Sequence, residues 1–413
     1  MKESFPGRAR YFWKKTTGGR PMAGTEIFGK EELAAVQDVI ERKVIHRYGS
    51  HGVRNGIYRV EEFENRAVEI TGARHALAVA NGTAALIVAL KGIGIRPGDE
   101  VITSPFAFIA TVEAIVACNA VPVLGDIDET LSLDPASAER LITEKTRAIM
   151  PVHMFGAAAD MERFTELGKK YGIPIIEDAC EVVGGTYKGR MLGSLGTCGT
   201  WSFDPNKTLT VGEGGIVFTD SDEIHFRMDC YHDHGHVHSK EHDRGAEAKS
   251  GLGVNFRLSE LQGALGLVAL QKMDYALGLL RSTKKRILDA VSDTGIVPRP
   301  THNGEGDTAS HVIFMLPSAE SAVTFRDAAI SAGCGCSIIA DNTWHFAKHW
   351  KALESMGEKD WFGTKTPSYA PATMAQSDGL LARAVMFGLN IIMDDSSVEK
   401  MIHAIRAGAG AAL

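Results

Sequence analysis

Asp178 and Lys207 are the residues of this 413-residue chain best placed for covalent chemistry. The acid closes an apolar run, Ile176-Glu177-Asp178-Ala179-Cys180-Glu181, and the lysine stands in Trp201-Ser202-Phe203-Asp204-Pro205-Asn206-Lys207-Thr208, just before Gly212-Glu213-Gly214-Gly215. A lysine amine can form an imine with an aldehyde, while a buried carboxylate can keep a pyridine nitrogen protonated so that the ring accepts electrons. Together these are the requirements for holding pyridoxal 5′-phosphate (PLP). A lone lysine is usually solvated, but the run Trp201-Ser202-Phe203 looks buried. Burial beside a cationic ring would lower the amine's pKa.

The phosphate of such a cofactor needs donors, and Ala80-Asn81-Gly82-Thr83-Ala84-Ala85-Leu86 reads as a strand-to-helix turn. Free N–H groups and the dipole at a helix start favour an anion there, although Thr83 in isolation reads as a plain cap. Ser202, close before Lys207, can add a hydroxyl. Phe106 and Phe108 lie in a loop before a helix, where one of them could cover a flat ring; core packing is the plainer reading. The glycines after Lys207 allow close backbone approach and positive φ, in a hairpin turn or a ligand cradle alike.

Elements able to position these groups follow in order. Apolar runs at 75–80, 100–103, 121–126, 146–152, 173–177, 200–203 and 216–219 read as strands, with helical spacing at 83–91, 109–118, 135–142 and 160–171. The alternation predicts an α/β layer with a large, mostly parallel seven-stranded sheet, whose ligands sit beyond the carboxyl ends of its strands. Residues 1–24 read as an arm, 25–285 as the large domain, and 286–413 as a smaller α+β domain.

The composition is that of an ordinary globular protein, 44% hydrophobic and 23% charged. A net charge of −7 offers nothing to nucleic acid or an anionic membrane. No apolar run of about 20 residues is present. The amino terminus lacks a secretory pattern, and the six cysteines are scattered, so a cytoplasmic location is expected. His232, His234, His236, His238 and His242 do not match the spacing of a metal site, and none is expected. They read as substrate contacts or as solvent-exposed groups.

From about Arg47 to Ala404 the chain resembles the DegT/DnrJ/EryC1/StrS sugar aminotransferases, which have the PLP-dependent transferase fold type I. The resemblance rests on Asn81 to Leu86, Gly98-Asp99-Glu100-Val101-Ile102, Pro105 to Thr111, Pro151-Val152-His153 to Gly156, Glu177-Asp178-Ala179, Phe203 to Lys207, Gly212 to Gly215, and Asn255-Phe256-Arg257-Leu258-Ser259-Glu260. It implies that Lys207 binds PLP and moves the proton, that Asp178 pairs with the pyridine nitrogen, and that Phe108 stacks on the ring. It gives the phosphate to Gly82, Thr83 and Ser202, and brings Asn255 to the cofactor of a neighbouring subunit in a homodimer with shared active sites. Glu181 stands near the phenolic oxygen, where many members carry Gln or His.

The implied reaction is a ping-pong aldimine transamination from an amino acid, L-glutamate by analogy, to a ketosugar. Asp233-His234-Gly235-His236 and Asn342-Thr343-Trp344-His345 resemble the enzymes acting on 8-keto-3,8-dideoxy-octulosonate; a nucleotide-linked keto-deoxysugar is the other substrate class. A PLP-dependent sugar dehydratase and a non-catalytic regulatory protein stand as alternatives. The family's deoxygenating dehydratases carry histidine where this chain has Lys207.

Overall fold

A computed structural model of the protein describes residues 23–238, 246 and 249–413. The expected arm therefore lies outside the described residues, apart from Ala23 and Gly24, which open a short 3-10 turn, Ala23–Ile27.

The large sheet contains β1 (His75–Val79), β2 (Glu100–Thr103), β3 (Val121–Leu124), β4 (Thr146–Met150), β5 (Ile176–Asp178), β6 (Cys198–Ser202) and β7 (Gly215–Thr219). Hydrogen bonds order it as β1-β7-β6-β5 and as β3-β2-β4. The two parts meet through parallel bridges from Ile149 to Ile175 and from Val152 to Asp178. All pairings are parallel except those of β7, which runs antiparallel to both β1 and β6.

Alternation along the strands sends successive side chains to opposite faces. Ala76, Ala78, Ile102, Ile216 and Phe218 enter one buried core, while Leu77, Val79, Val101 and Val217 enter another. Both faces are thus covered, which is why these strands read as continuous apolar runs. The helices Gly82–Gly92 and Ala110–Ala117 lie against the second core, and Arg59–Thr71 packs on Glu260–Gln271.

The smaller lobe pairs Val297–Pro298, His311–Met315, Ala384–Gly388 and Ser337–Ile338 in an antiparallel sheet covered by the helices Ala319–Ser331 and Asp395–Ala412. From this lobe the segment around 344–347 returns to the loop after β2. Ala107 N donates to His345 O (2.9 Å), Ile109 N to Trp344 O (3.1 Å) and Ala347 N to Pro105 O (2.8 Å).

Residues 260–291 form two helices, Glu260–Gln271 and Met273–Val291, separated at Lys272. The helix Asp222–His232 has no counterpart in the sequence reading, because its buried face consists only of Met228, Cys230 and His232. Among the described residues no helix is long and apolar enough to cross a membrane.

Candidate active site

Asp178 ends β5, with its backbone locked on both sides. Its N–H donates to Pro151 O and its carbonyl accepts from His153 N, each at 3.0 Å. The side chain is buried, and Oδ2 accepts from Thr111 Oγ1 (2.7 Å) while Oδ1 accepts from Cys180 N (3.2 Å). A carboxylate has about four acceptor positions, so capacity is left for a further donor.

Beside it the helix Gly82–Gly92 begins. Asn81 caps it, Oδ1 accepting from Ala84 N at 2.8 Å, and Ala85 N donates to Asn81 O at 3.0 Å. The Gly82 and Thr83 amides find no acceptor among the described residues. A side chain at Gly82 would place its Cβ 2.8 Å from Ser202 Cβ and 2.9 Å from Ser202 Oγ, so only glycine lets the helix start approach the end of β6. Behind the turn, a Cβ on Gly215 would meet Asn81 O at 2.4 Å. Two free amides, the hydroxyls of Thr83 and Ser202, and the helix dipole form a cradle that fits the phosphate end of the expected cofactor.

Lys207 lies in the connection between the antiparallel strands β6 and β7, with Gly212 at φ 86 in the same loop. Its carbonyl accepts from Gly24 N at 3.0 Å, so the 3-10 turn of residues 23–27 is fastened to the lysine backbone. Its amine donates to Glu181 Oε1 at 3.1 Å. His345 Nε2 approaches the same oxygen at 3.2 Å, and His345 Nδ1 lies 3.1 Å from Asn342 Oδ1. Both ring nitrogens of His345 thus face acceptor oxygens.

Burial acts to lower the Lys207 pKa, but the Glu181 carboxylate outweighs it, and the amine is held above its ordinary value. Burial acts to raise Glu181, and the charges of Lys207 and then His345 override it, leaving the carboxyl well below the usual range.

His345 is a site residue with no role legible beforehand. Its signal was Asn342-Thr343-Trp344-His345, legible only as a short resemblance. The turn at Phe155 (φ 49) and Gly156 (φ 91) sets the Phe155 ring 5.2 Å from His345 and 4.5 Å from His311.

Phe108 is half-exposed and lies near-parallel to Trp344, with ring centroids 6.1 Å apart. Asn255 is exposed and is not brought to the Lys207 cluster within one chain. It pairs with Asp233, and the next residue's carbonyl accepts from Ala80 N. Of the five histidines singled out above, His242 lies outside the described residues, while His232, at the end of the helix Asp222–His232, and His236 are buried rather than solvent-exposed. His238 is clamped between Asp229 Oδ2 (2.7 Å) and Asp233 Oδ2 (3.0 Å). Although its burial opposes the charge, those carboxylates raise its pKa to about 9.

Residues 27–406 match the model of the DegT/DnrJ/EryC1/StrS aminotransferase family. The chain is 41% identical over 216 residues to GDP-perosamine synthase of Caulobacter vibrioides, a match spanning 52% of this chain and 57% of that protein. It is 34% identical to the spore coat polysaccharide biosynthesis protein SpsC of Bacillus subtilis over 74% of this chain and 78% of that one. Among solved structures, an aminotransferase from Psychrobacter cryohalolentis superposes with a TM-score of 0.78 at 27% identity, covering 92% of this chain and 96% of that one.

Proposed function

The chain belongs to the DegT/DnrJ/EryC1/StrS aminotransferase family, and from that premise we propose that it is a PLP-dependent transaminase moving an amino group from an amino acid, L-glutamate by analogy, to a ketosugar. When bound, PLP supplies an electron-accepting ring and an aldehyde carbon at which amino groups are exchanged. The ketosugar is either 8-keto-3,8-dideoxy-octulosonate or a nucleotide-linked keto-deoxysugar.

The observation carrying this reading is the gathering of an acid, an amine and an anion cradle around the ends of β5 and β6. Asp178, fixed by Thr111 and Cys180, is the group to hold the ring nitrogen protonated. Gly82, Thr83 and Ser202 hold the phosphate, and Phe108 covers the ring. Lys207 Nζ takes the covalent position and then, once released, carries the proton as general acid and base. Glu181 receives that amine's hydrogen bond at 3.1 Å and orients it, with His345 fixing Glu181 from the other side. Asn255, exposed on its own subunit, completes the neighbour's phosphate site in a homodimer, with the boundary between large and small domains near residue 285.

The test is Lys207→Ala. The variant is expected to remain folded and dimeric, to bind PLP without a borohydride-reducible bond, and to lose donor-dependent amination. Near-normal transamination by it would refute the assignment, as would borohydride labelling of a different amine in the unaltered protein.

A further inference from the structure

Arg299 is only 7% exposed, yet among the described residues no carboxylate lies within ion-pair distance of it. Its guanidinium donates to two backbone carbonyls, Met154 O (3.1 Å) and Phe155 O (2.9 Å). A buried charge without a counter-ion is unusual, because desolvation is costly unless an anion offsets it. The nearest acid that acts on it is Asp307, and that carboxylate is already engaged. Asp307 Oδ2 accepts from Lys284 Nζ at 2.7 Å and Oδ1 from Ala309 N at 2.6 Å. Burial outweighs Asp307 at both cations: it pulls Arg299 down to about 10 and Lys284 below its ordinary value. Two cations therefore share one carboxylate.

This surplus charge borders the site. Arg299 holds the carbonyls of the Phe155 turn, whose ring touches His345 on one side and His311 on the other. His311 is half-buried, its Nδ1 2.9 Å from Ser310 Oγ. The loop carrying Asp307 approaches only because residue 156 is glycine; a Cβ there would lie 2.2 Å from Asp307 Oδ1.

We propose that Arg299, Lys284 and His311 form a carboxylate-binding subsite of the sugar pocket, so that the ketosugar accepted is itself an acid. The inference rests on the transaminase reading above and narrows its substrate. The subsite is linked to the Lys207 amine through Phe155, His345 and Glu181, each in contact with the next. That arrangement suits a carboxylate carried several bonds from the reacting carbon, rather than the α-carboxylate of the donor.

The test compares 8-keto-3,8-dideoxy-octulosonate with its methyl ester, using the PLP-loaded full chain and L-glutamate. The unaltered enzyme is expected to favour the acid in kcat/KM by roughly 10- to 100-fold, the worth of a charged hydrogen bond. Arg299→Gln brings the two rates to within about threefold of each other, and Arg299→Lys falls between. A role confined to holding the Phe155 turn lowers both rates together and leaves the ratio intact, which overturns the proposal. So does an unaltered enzyme that treats acid and ester alike, or one that aminates a nucleotide-linked 4-ketosugar and not the acid. If Arg299→Gln slows the spectral change caused by L-glutamate as much as it slows sugar amination, the carboxylate belongs to the donor and the proposal again fails. No L-glutamate response in the unaltered enzyme overturns the transaminase reading along with the subsite; a normal response with no acid preference overturns the subsite alone.

Discussion

On the sheet side of the site Asp178, Gly82 and Ser202 are placed by backbone hydrogen bonds, a helix cap and a strand end, whereas on the facing side His345 and Phe155 lie in loops and meet His311 and Arg299, at the small lobe's sheet, through side-chain contacts. Glu181 joins the two, accepting from Lys207 on one and His345 on the other. Backbone-held groups keep their positions through most side-chain changes. Groups held by loop contacts can be exchanged without disturbing the sheet. The first side accordingly suits a fixed cofactor, and the second a substrate that differs among relatives.

The comparison is broken most severely at Asp178. Asp178→Asn keeps an acceptor for one neighbour, and the Thr111 hydroxyl can rotate to meet the amide, so the fold is expected to survive. The charge proposed to face the ring nitrogen is lost, and transamination should fall by about 10²–10³-fold, the scale of removing one preorganised electrostatic group. Steady-state kcat alongside an unfolding curve checks this. A loss under tenfold would mean that the acid is not facing the ring.

Gly82→Ala comes next. The added methyl must displace Ser202, whose Cβ would be 2.8 Å away, and overpacking of this kind costs about 1–3 kcal/mol. Because the contact lies in the proposed phosphate cradle, that cost should appear as a roughly 10- to 100-fold rise in the Kd for PLP. Titration of cofactor-free protein measures it. An unchanged Kd with lowered stability would leave Gly82 a packing residue alone.

The two sides also differ in how far they could be read beforehand. Asp178, Lys207, Gly82 and the seven strands depend on local patterns: an acid at the end of an apolar run, a glycine at a helix start, alternation along a strand. His345 meets Glu181 from 164 positions away, and no local period carries that. Arg299 looked like any arginine near a proline until the Phe155 turn closed over it. The lysine's partner was hidden for the same reason. Burial was legible in Trp201-Ser202-Phe203, but the carboxylate that reverses its effect enters from another loop. The helix Asp222–His232 was missed because only Met228, Cys230 and His232 are buried; Met228 packs where Gly92 leaves room, with Cγ 2.4 Å from a Cβ placed there.

The smallest effect falls at the link between the two sides. Glu181→Gln removes the charge that Lys207 and His345 share but keeps a similar shape. Deprived of the carboxylate, Lys207 is left with burial, which lowers its pKa, so the alkaline rise in reactivity of the cofactor-free amine should begin at lower pH than in the unaltered protein. Stability moves with a definite sign. The Glu181 carboxyl is held below its ordinary value of 4.5, so its contribution is present above that value and is lost as pH falls below it. At pH 7 the variant is expected to be less stable by about 1–3 kcal/mol, and the gap should narrow steadily on acidification below 4.5. Denaturant unfolding of the cofactor-free protein across that range measures the gap. A gap constant down to pH 3 would reduce Glu181 to a neutral hydrogen-bond acceptor, and with it the electrostatic tie between the sheet and the facing side.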